Sequence, residues 1–409
     1  MGLGRYGGGA GAARHLVNLG YDVIITDMSP ESELTEAIES IADLIAAGCI
    51  ELHLGEHNVS DFTTSELVIV NPAVRTPWEN RFIRAAQAAR VRLTTEIGLL
   101  LEALPAESRI IGITGSAGKS TTSAMIHAGL TAGGADSILG GNIGGSLLEQ
   151  LDQIKPTTTI VLELSSAMLW WLDQPGCTQR KHPLDTALIT NISPNHIDWH
   201  GSESHYTQSK LNIAKLLKPD KQLIAADTAR TDGLPELATP GTHNRTNAAT
   251  AFLVCQELGA DPTLALQGIA QFPGLPHRLE LIRTLNTVRW YNDSKSTTPD
   301  ASRLALEALA PSNTHLIVGG SDKGIDLQLI ANLARPAASL LCIGQTGETI
   351  AKLAGVEHLK TLEAAVAKAH KAAKPGDAVV LSPGCASFDQ FQNFEHRGES
   401  FRKLVHSLP

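Results

Sequence analysis

The chain has 409 residues, 43% of them hydrophobic and 18% charged, with a formal net charge of −9. That length accommodates two or three domains with cores of their own, and the acidic balance argues against a general affinity for nucleic acid or an anionic membrane surface. No run approaches the roughly 20 apolar residues of a membrane span, the N-terminus lacks the basic-then-apolar layout of a signal peptide, and the cysteines show no paired spacing, so a cytoplasmic protein with free thiols is expected.

GLGRYG at residues 2–7 fits the GxGxxG pattern of a nucleotide-binding turn, and Asp27 closes the following strand, YDVIITD, where that fingerprint asks for an acid. The strand that should feed the loop is absent because the sequence begins at Met1, which predicts a first domain lacking its first strand. Three readings stay open for the loop: a nucleoside-diphosphate site, a structural turn, or an NAD site. ESELTEAIESIADLIAAG (31–48) predicts one helix and ELVIVNP a further strand, so residues 1–105 are expected to form an α/β domain with parallel strands and crossover helices.

After the polar connection EALPAESR, the run SRIIGIT predicts a buried strand and KSTTSAMIHAGLTAGG a helix. Between them, GITGSAGKST (112–121) departs from a strict P-loop by one place, because Ile113 stands where the pattern wants glycine. The chemistry of a phosphate cradle remains. Gly115 and Gly118 free backbone N–H groups at a helix N-terminus, Lys119 can reach outer phosphates, and Ser120 and Thr121 offer hydroxyls for Mg²⁺. ATP is the expected ligand. In LELSS, Glu163 ends an apolar run and suits a Mg²⁺ ligand. NISPNHIDWHGS packs Asn191, Asn195, His196, Asp198 and His200 into one strand-end loop, where His196 reads as a metal ligand, an acid/base group or a structural histidine. Lys210, in the helical HYTQSKLNIAKLL, is a lone lysine of the kind normally solvated, and residue chemistry alone does not single it out.

FPGLPHRLE interrupts the helical pattern and marks a second boundary, giving a central domain over 106–275 and a third over 276–409. In the third, THLIVGG, SLLCIGQ and DAVVLSP predict strands separated by helices. NDSKSTTPDAS, GGSDKGID and SPGCASFDQFQNFEHRG are strand-end loops that offer Asp293, Lys295, Thr297, Lys323, Ser387 and Phe394.

GITGSAGKSTT, LELSS, NISPNHIDWHGS, FPGLPHR, NDSKSTTP, GGSDKG and SPGCASFDQFQNFEHRG, in this order and across essentially the whole chain, resemble the Mur ligases. The resemblance implies a three-domain α/β fold: an N-terminal Rossmann-like domain for a UDP moiety, a central P-loop ATPase with a mostly parallel sheet, and a C-terminal Rossmann-like domain for the incoming amino acid. It also implies ATP-dependent ligation of D-glutamate to UDP-N-acetylmuramoyl-L-alanine through an acyl phosphate, by a monomer that uses two Mg²⁺ ions. By position, Lys119, Glu163, His196 and Lys210 match the catalytic set. Ser120, Glu163, His196 and Lys210, the last as a carbamate, match its metal ligands. Asn244 and Asn247 match adenine contacts, and Arg278 and Asp293 phosphate and ribose contacts. Lys295, Thr297, Lys323, Ser387 and Phe394 match the D-glutamate site, and Gly4, Arg5, Tyr6, Asp27 and Asn142 the UDP-substrate site. The alternatives are a Mur-type ligase adding L-alanine or diaminopimelate, and a nucleotide-binding relative without catalysis.

Overall fold

The computed structural model describes every residue except Arg5, Tyr6, Pro194 and Lys323, and it leaves aside the side chain of Asp227. The chain divides into two compact α/β units, Met1–Arg230 with Thr250–Ala265, and Thr231–Ala249 with Leu266–Pro409.

In the first unit, β1 (Val23–Asp27) pairs in parallel with β2 (Ile50–Leu54), and β3 (Leu67–Ile69) with β4 (Arg92–Thr94). Met1 and Gly2 run between the two pairs. The Gly2 N–H donates to the Thr26 carbonyl at 2.8 Å, the Met1 ammonium to Ile69 at 2.9 Å, and the Asn71 N–H to the Met1 carbonyl at 3.0 Å. The single helix expected over 31–48 is broken into a 3-10 turn, Glu31–Glu33, and two short helices, Thr35–Glu39 and Ala42–Ala46. At the break the Ser40 hydroxyl donates back to the Ala37 carbonyl at 2.7 Å, a bond that bends or ends a helix, and the next residue, Ile41, is fully buried.

The same unit holds an all-parallel sheet of β5 (Arg109–Thr114), β6 (Ser137–Gly141), β7 (Thr159–Glu163), β8 (Thr186–Ile189) and β9 (Leu223–Ala225), in the order β6-β7-β5-β8-β9. Every residue of β7, and every residue of β5 after Arg109, is buried, as expected of parallel strands covered on both faces. From β5 the chain proceeds to one side of the sheet and from β8 to the other. The crevice between their C-terminal ends is therefore the switch point at which open α/β sheets bind ligands. Phe62, Val68, Ile97 and Leu100 share one apolar cluster with Ile110, Ile160, Leu162 and Trp171, so residues on both sides of position 105 pack into a common core.

The second unit carries β10 (Glu280–Leu285), β11 (Val288–Asn292), β12 (Thr314–Val318), β13 (Ser339–Ile343), β14 (His358–Lys360) and β15 (Ala378–Leu381) in the order β10-β11-β15-β12-β13-β14. Within this sheet the β10–β11 pairing is antiparallel, and the other strand pairings of the described residues are parallel. Asn292 of β11 and Ile317 of β12 both flank Leu381 of β15, which brings the loops after these three strands side by side.

Candidate active site

The glycine-rich loop follows β5 directly and opens into the helix Lys119–Ala132. Its departure from the strict motif has a simple cause: Ile113 lies inside the strand, fully buried and paired with Glu163, so the sheet needs an apolar side chain there. The turn begins at Gly115, whose φ of 148° and close approach to the Thr190 hydroxyl leave no room for a β-carbon. The loop is tied to the segment after β8, with the Ser116 N–H donating to the Asn191 carbonyl at 2.9 Å and the Ala117 N–H to the Asn191 side-chain oxygen at 3.0 Å. Lys119 places its ammonium 3.3 Å from the Ser116 carbonyl, and Ser120 and Thr121 lie in the first helical turn. These residues form one cradle at a helix N-terminus.

Beside it, Lys210 is only 2% exposed. Its ammonium donates to the Gly115 carbonyl at 2.7 Å and lies 4.8 Å from the centre of the Tyr206 ring. Burial first, then repulsion from Lys119, lowers its pKa to about 7, against the pull of Glu163. The solvated lysine expected from residue chemistry is thus a desolvated amine in the site, and its environment favours the neutral form that a carbamate requires. Glu163 is 1% exposed. Its Oε1 accepts from the Asn142 amide at 2.9 Å, whereas Oε2 is buried with no hydrogen-bond partner among the described residues. An orphaned carboxylate oxygen close to a hydroxyl-bearing phosphate cradle is a donor set that fits Mg²⁺.

His196 sits exposed in a left-handed conformation, φ 50° and ψ 37°, at the start of the short helix Ile197–His200. Its carbonyl accepts from the N–H groups of Trp199 and His200 at 3.1 and 3.0 Å. His200 is buried, with Nε2 2.9 Å from the Ser166 hydroxyl and Nδ1 2.9 Å from Nδ1 of His205. Burial, aided by His205, His196 and Lys210, lowers its pKa to about 4 and keeps it neutral. The Tyr206 hydroxyl lies 2.8 Å from the Ser116 hydroxyl, linking the Lys210 helix to the cradle. Sequence reasoning missed Tyr206 and Ser166, although both stand inside or beside motifs it quoted.

Among the residues expected to meet the UDP-substrate, Asp27 Oδ2 lies 3.5 Å from the Gly4 N–H, while Oδ1 accepts from the Ser29 N–H at 2.9 Å. Asn142 joins Glu163 through both backbone and side chain. Arg5 and Tyr6 lie outside the described residues.

Asn244, Asn247, Arg278 and Asp293 belong to the second unit. Asn244 donates to the Pro240 carbonyl at 2.7 Å and accepts from Asn247 at 3.1 Å. Asp293, 6% exposed, accepts from the Leu279 N–H at 2.9 Å and the Ser382 hydroxyl at 2.6 Å, and burial raises its pKa to about 6. Lys295 stands 5.2 Å above the Phe394 ring, Thr297 continues the same loop, and the buried Ser387 lies on the neighbouring one. Arg397, which sequence reasoning left unassigned, is 1% exposed and binds both loops. It donates to the Ser294 hydroxyl and carbonyl and to the carbonyls of Cys385 and Ala386, all within 2.9–3.1 Å. Lys323 lies outside the described residues; two positions before it, the Ser321 N–H donates to the Ala386 carbonyl at 3.0 Å.

Residues 113–234 match the family model of the Mur ligase middle domain, and residues 277–385 that of the Mur ligase glutamate ligase domain. The UDP-N-acetylmuramoylalanine–D-glutamate ligase of Symbiobacterium thermophilum is 34% identical over 97% of this chain and 95% of its own length. That of a Roseiflexus species is 34% identical over 100% and 98%. Among solved structures, the UDP-N-acetylmuramate–alanine ligase MurC of Thermotoga maritima superimposes with a TM-score of 0.59 at 18% identity, covering 98% of this chain and 97% of that one. That last likeness is one of fold.

Proposed function

The chain belongs to the Mur ligase family of ATP-dependent ligases, and from that premise we propose that it joins D-glutamate to UDP-N-acetylmuramoyl-L-alanine in the cytoplasmic stage of peptidoglycan precursor synthesis. The observation that carries this reading is the match, over nearly the full length of both chains, to D-glutamate ligases. Residues 1–105 would hold the UDP moiety, 106–275 ATP, and 276–409 the amino acid.

A carboxylate resists attack by an amine, so it must first be activated. An oxygen of the alanyl carboxylate attacks the γ-phosphorus of ATP, ADP departs, and an acyl phosphate results. The amine of D-glutamate then attacks the acyl carbon, loses a proton, and expels inorganic phosphate. Charge spreads over the transferring phosphoryl group, and Lys119 with the N–H groups of the cradle would hold it in line. Bound Mg²⁺ would neutralise phosphate charge, and Ser120, Glu163, His196 and a Lys210 carbamate would hold it. Asn244, Asn247, Arg278 and Asp293 would bind adenine, phosphate and ribose, and Gly4, Asp27 and Asn142 the UDP-substrate, with Arg5 and Tyr6, which follow Gly4 in sequence. Lys295, Thr297, Lys323, Ser387 and Phe394 would receive D-glutamate, whose two carboxylates call for ammonium groups and hydroxyls.

The deciding experiment measures phosphate release from Mg²⁺-ATP and UDP-N-acetylmuramoyl-L-alanine with D-glutamate, L-glutamate, L-alanine or meso-diaminopimelate supplied in turn. Release that depends on D-glutamate alone is expected. Release with another amino acid moves the chain elsewhere in the family, and release with none overturns the reading.

A further inference from the structure

Before the turn that carries His196, Ser193 exchanges hydrogen bonds with the Ser116 hydroxyl at 2.8 Å; within and after the turn there is less to hold the chain. His196, Ile197 and Asp198 are all exposed, the helix spans only Ile197–His200, and its two buried side chains are Trp199 at 6% and His200 at 3% exposure. On its C-terminal side the turn is therefore set by where those two side chains are anchored. His200 is anchored locally, on Ser166 and His205. Trp199 is anchored elsewhere: its indole N–H donates to the carbonyl of Pro72 at 3.0 Å, across 127 residues of sequence.

Pro72 lies on the loop that leaves β3, on the side of the fold where Gly2 meets the Asn71 amide and Gly4 meets Asp27. The same loop reaches the His196 turn twice more. Trp78 meets Trp199 edge-on, ring centres 5.7 Å apart and planes at 79°, and lies 4.6 Å from His205 and 5.5 Å from Trp170. Arg75 stands 3.3 Å from Asp198, an exposed pair worth little on its own. Two other buried indoles, Trp171 and Trp290, have no hydrogen-bond partner among the described residues. Burying an indole in this protein does not by itself demand a partner, so the bond to Pro72 reflects the placement of the 72–78 loop.

We propose that Trp199 is a positioning residue: through Pro72 and Trp78 it ties the His196 turn to the loop after β3, so that binding of the UDP-substrate and binding of a divalent cation at the His196 and Lys210 locus reinforce each other. The inference rests on the ligase reading above, because that reading puts the UDP-substrate beside this loop. Linkage then requires reciprocity: whatever factor the substrate contributes to cation affinity, the cation contributes to substrate affinity.

The test titrates Mn²⁺ into the full-length enzyme by electron paramagnetic resonance, with a non-hydrolysable ATP analogue present, with and without UDP-N-acetylmuramoyl-L-alanine. For the wild type, Mn²⁺ should bind about 5-fold or more tighter with the substrate, within the usual range of coupling between sites. Trp199→Phe keeps a ring in the pocket and loses the N–H; it should lose most of that factor while its KM for ATP stays unchanged. If Trp199→Phe does not fold, Trp78→Phe, which leaves the Trp199 N–H in place, should lower the factor partially. A factor that survives in the folded variant, or a wild type with no factor at all, overturns the inference even if D-glutamate-dependent phosphate release is normal. Absence of that release in the wild type overturns the ligase reading itself, and this inference with it.

Discussion

Lys210 and Lys119 are separated by what surrounds them. Lys119 was legible because a lysine after glycines at a strand-to-helix turn has few other uses, whereas Lys210 gains its character from burial against Gly115 and Tyr206, residues far away in sequence. Lys119→Ala is expected to abolish ATP turnover; retained turnover in a folded variant would mean that the cradle holds something else. Lys210→Ala should lower kcat by on the order of 10²-fold or more, the scale seen when a preorganised electrostatic partner is removed, and a short carboxylic acid that fills the space should restore part of it. Normal rates in that variant would make Lys210 a structural amine. Asp293 permits a pH argument with a definite sign. Its carboxyl moves from an ordinary 3.8 to about 6 through burial, so between these values the native state holds a proton that the unfolded chain has released. The stability this group contributes is fully present below about 3.8 and is lost as pH rises through about 6, a difference of roughly 3 kcal/mol at 1.36 kcal/mol per unit. Asp293→Asn lacks this loss. Its unfolding temperature relative to wild type should therefore climb between pH 4 and pH 7 and then level off, and a flat difference in calorimetry would show that the carboxylate is not penalised.

Elements show where local pattern is informative and where it stops. β5, β7 and β15 were readable because buried parallel strands are unbroken apolar runs; β2 carries the alternating signal of a half-buried strand in IELHL but was not singled out, and β4 has only Arg92–Thr94, too short to carry a period. The break at Ser40 was not readable, since ESELTEAIESIADLIAAG has helical composition throughout and the interruption depends on a hydroxyl bonding backwards. Arg397 is the corresponding blind spot among the loops. A charged residue in a helix reads as solvent-facing, but here burial drives its pKa down to about 10 and its guanidinium clamps the loops after β11 and β15. Arg397→Met keeps the bulk and strips the donors. Leaving several buried carbonyls unsatisfied should cost about 3 kcal/mol and loosen the two loops that carry Lys295 and Ser387. The expected result is a roughly ten-fold or larger rise in KM for D-glutamate with KM for UDP-N-acetylmuramoyl-L-alanine unchanged, on the usual scale of 1.4 kcal/mol per decade. A stability loss with no change in either KM would reduce Arg397 to a packing role.

At the scale of the molecule, breaks in composition mark the borders between the proposed binding roles, whereas cohesion follows the cores. The polar connection near residue 105 is plain in the sequence, yet Phe62, Val68, Ile97 and Leu100 before it pack with Ile110, Ile160, Leu162 and Trp171 after it. No pattern read along the chain could reveal that sharing, because it depends on which faces meet in three dimensions. The second unit has separate clusters, one around Leu316, Val318 and Val380 and another around Ile317, Leu341 and Phe401 on the opposite face of its sheet. Segments that bury one another's apolar surface unfold together, and multi-domain chains depart from two-state behaviour at the borders between cores. Thermal unfolding of the full chain should therefore resolve two transitions, although three binding roles are proposed. Ligands sharpen the test, since each stabilises the unit that binds it by RT ln(1 + [L]/Kd), about 2.7 kcal/mol at a hundred times Kd. UDP-N-acetylmuramoyl-L-alanine alone should shift only the transition of the first unit, although most of the residues proposed to bind it, Gly4 to Asp27, lie before position 105 and the phosphate cradle after it. Three resolved transitions, with the UDP-substrate moving one that Lys119→Ala leaves untouched, would mean that the common core does not make these segments fold as one.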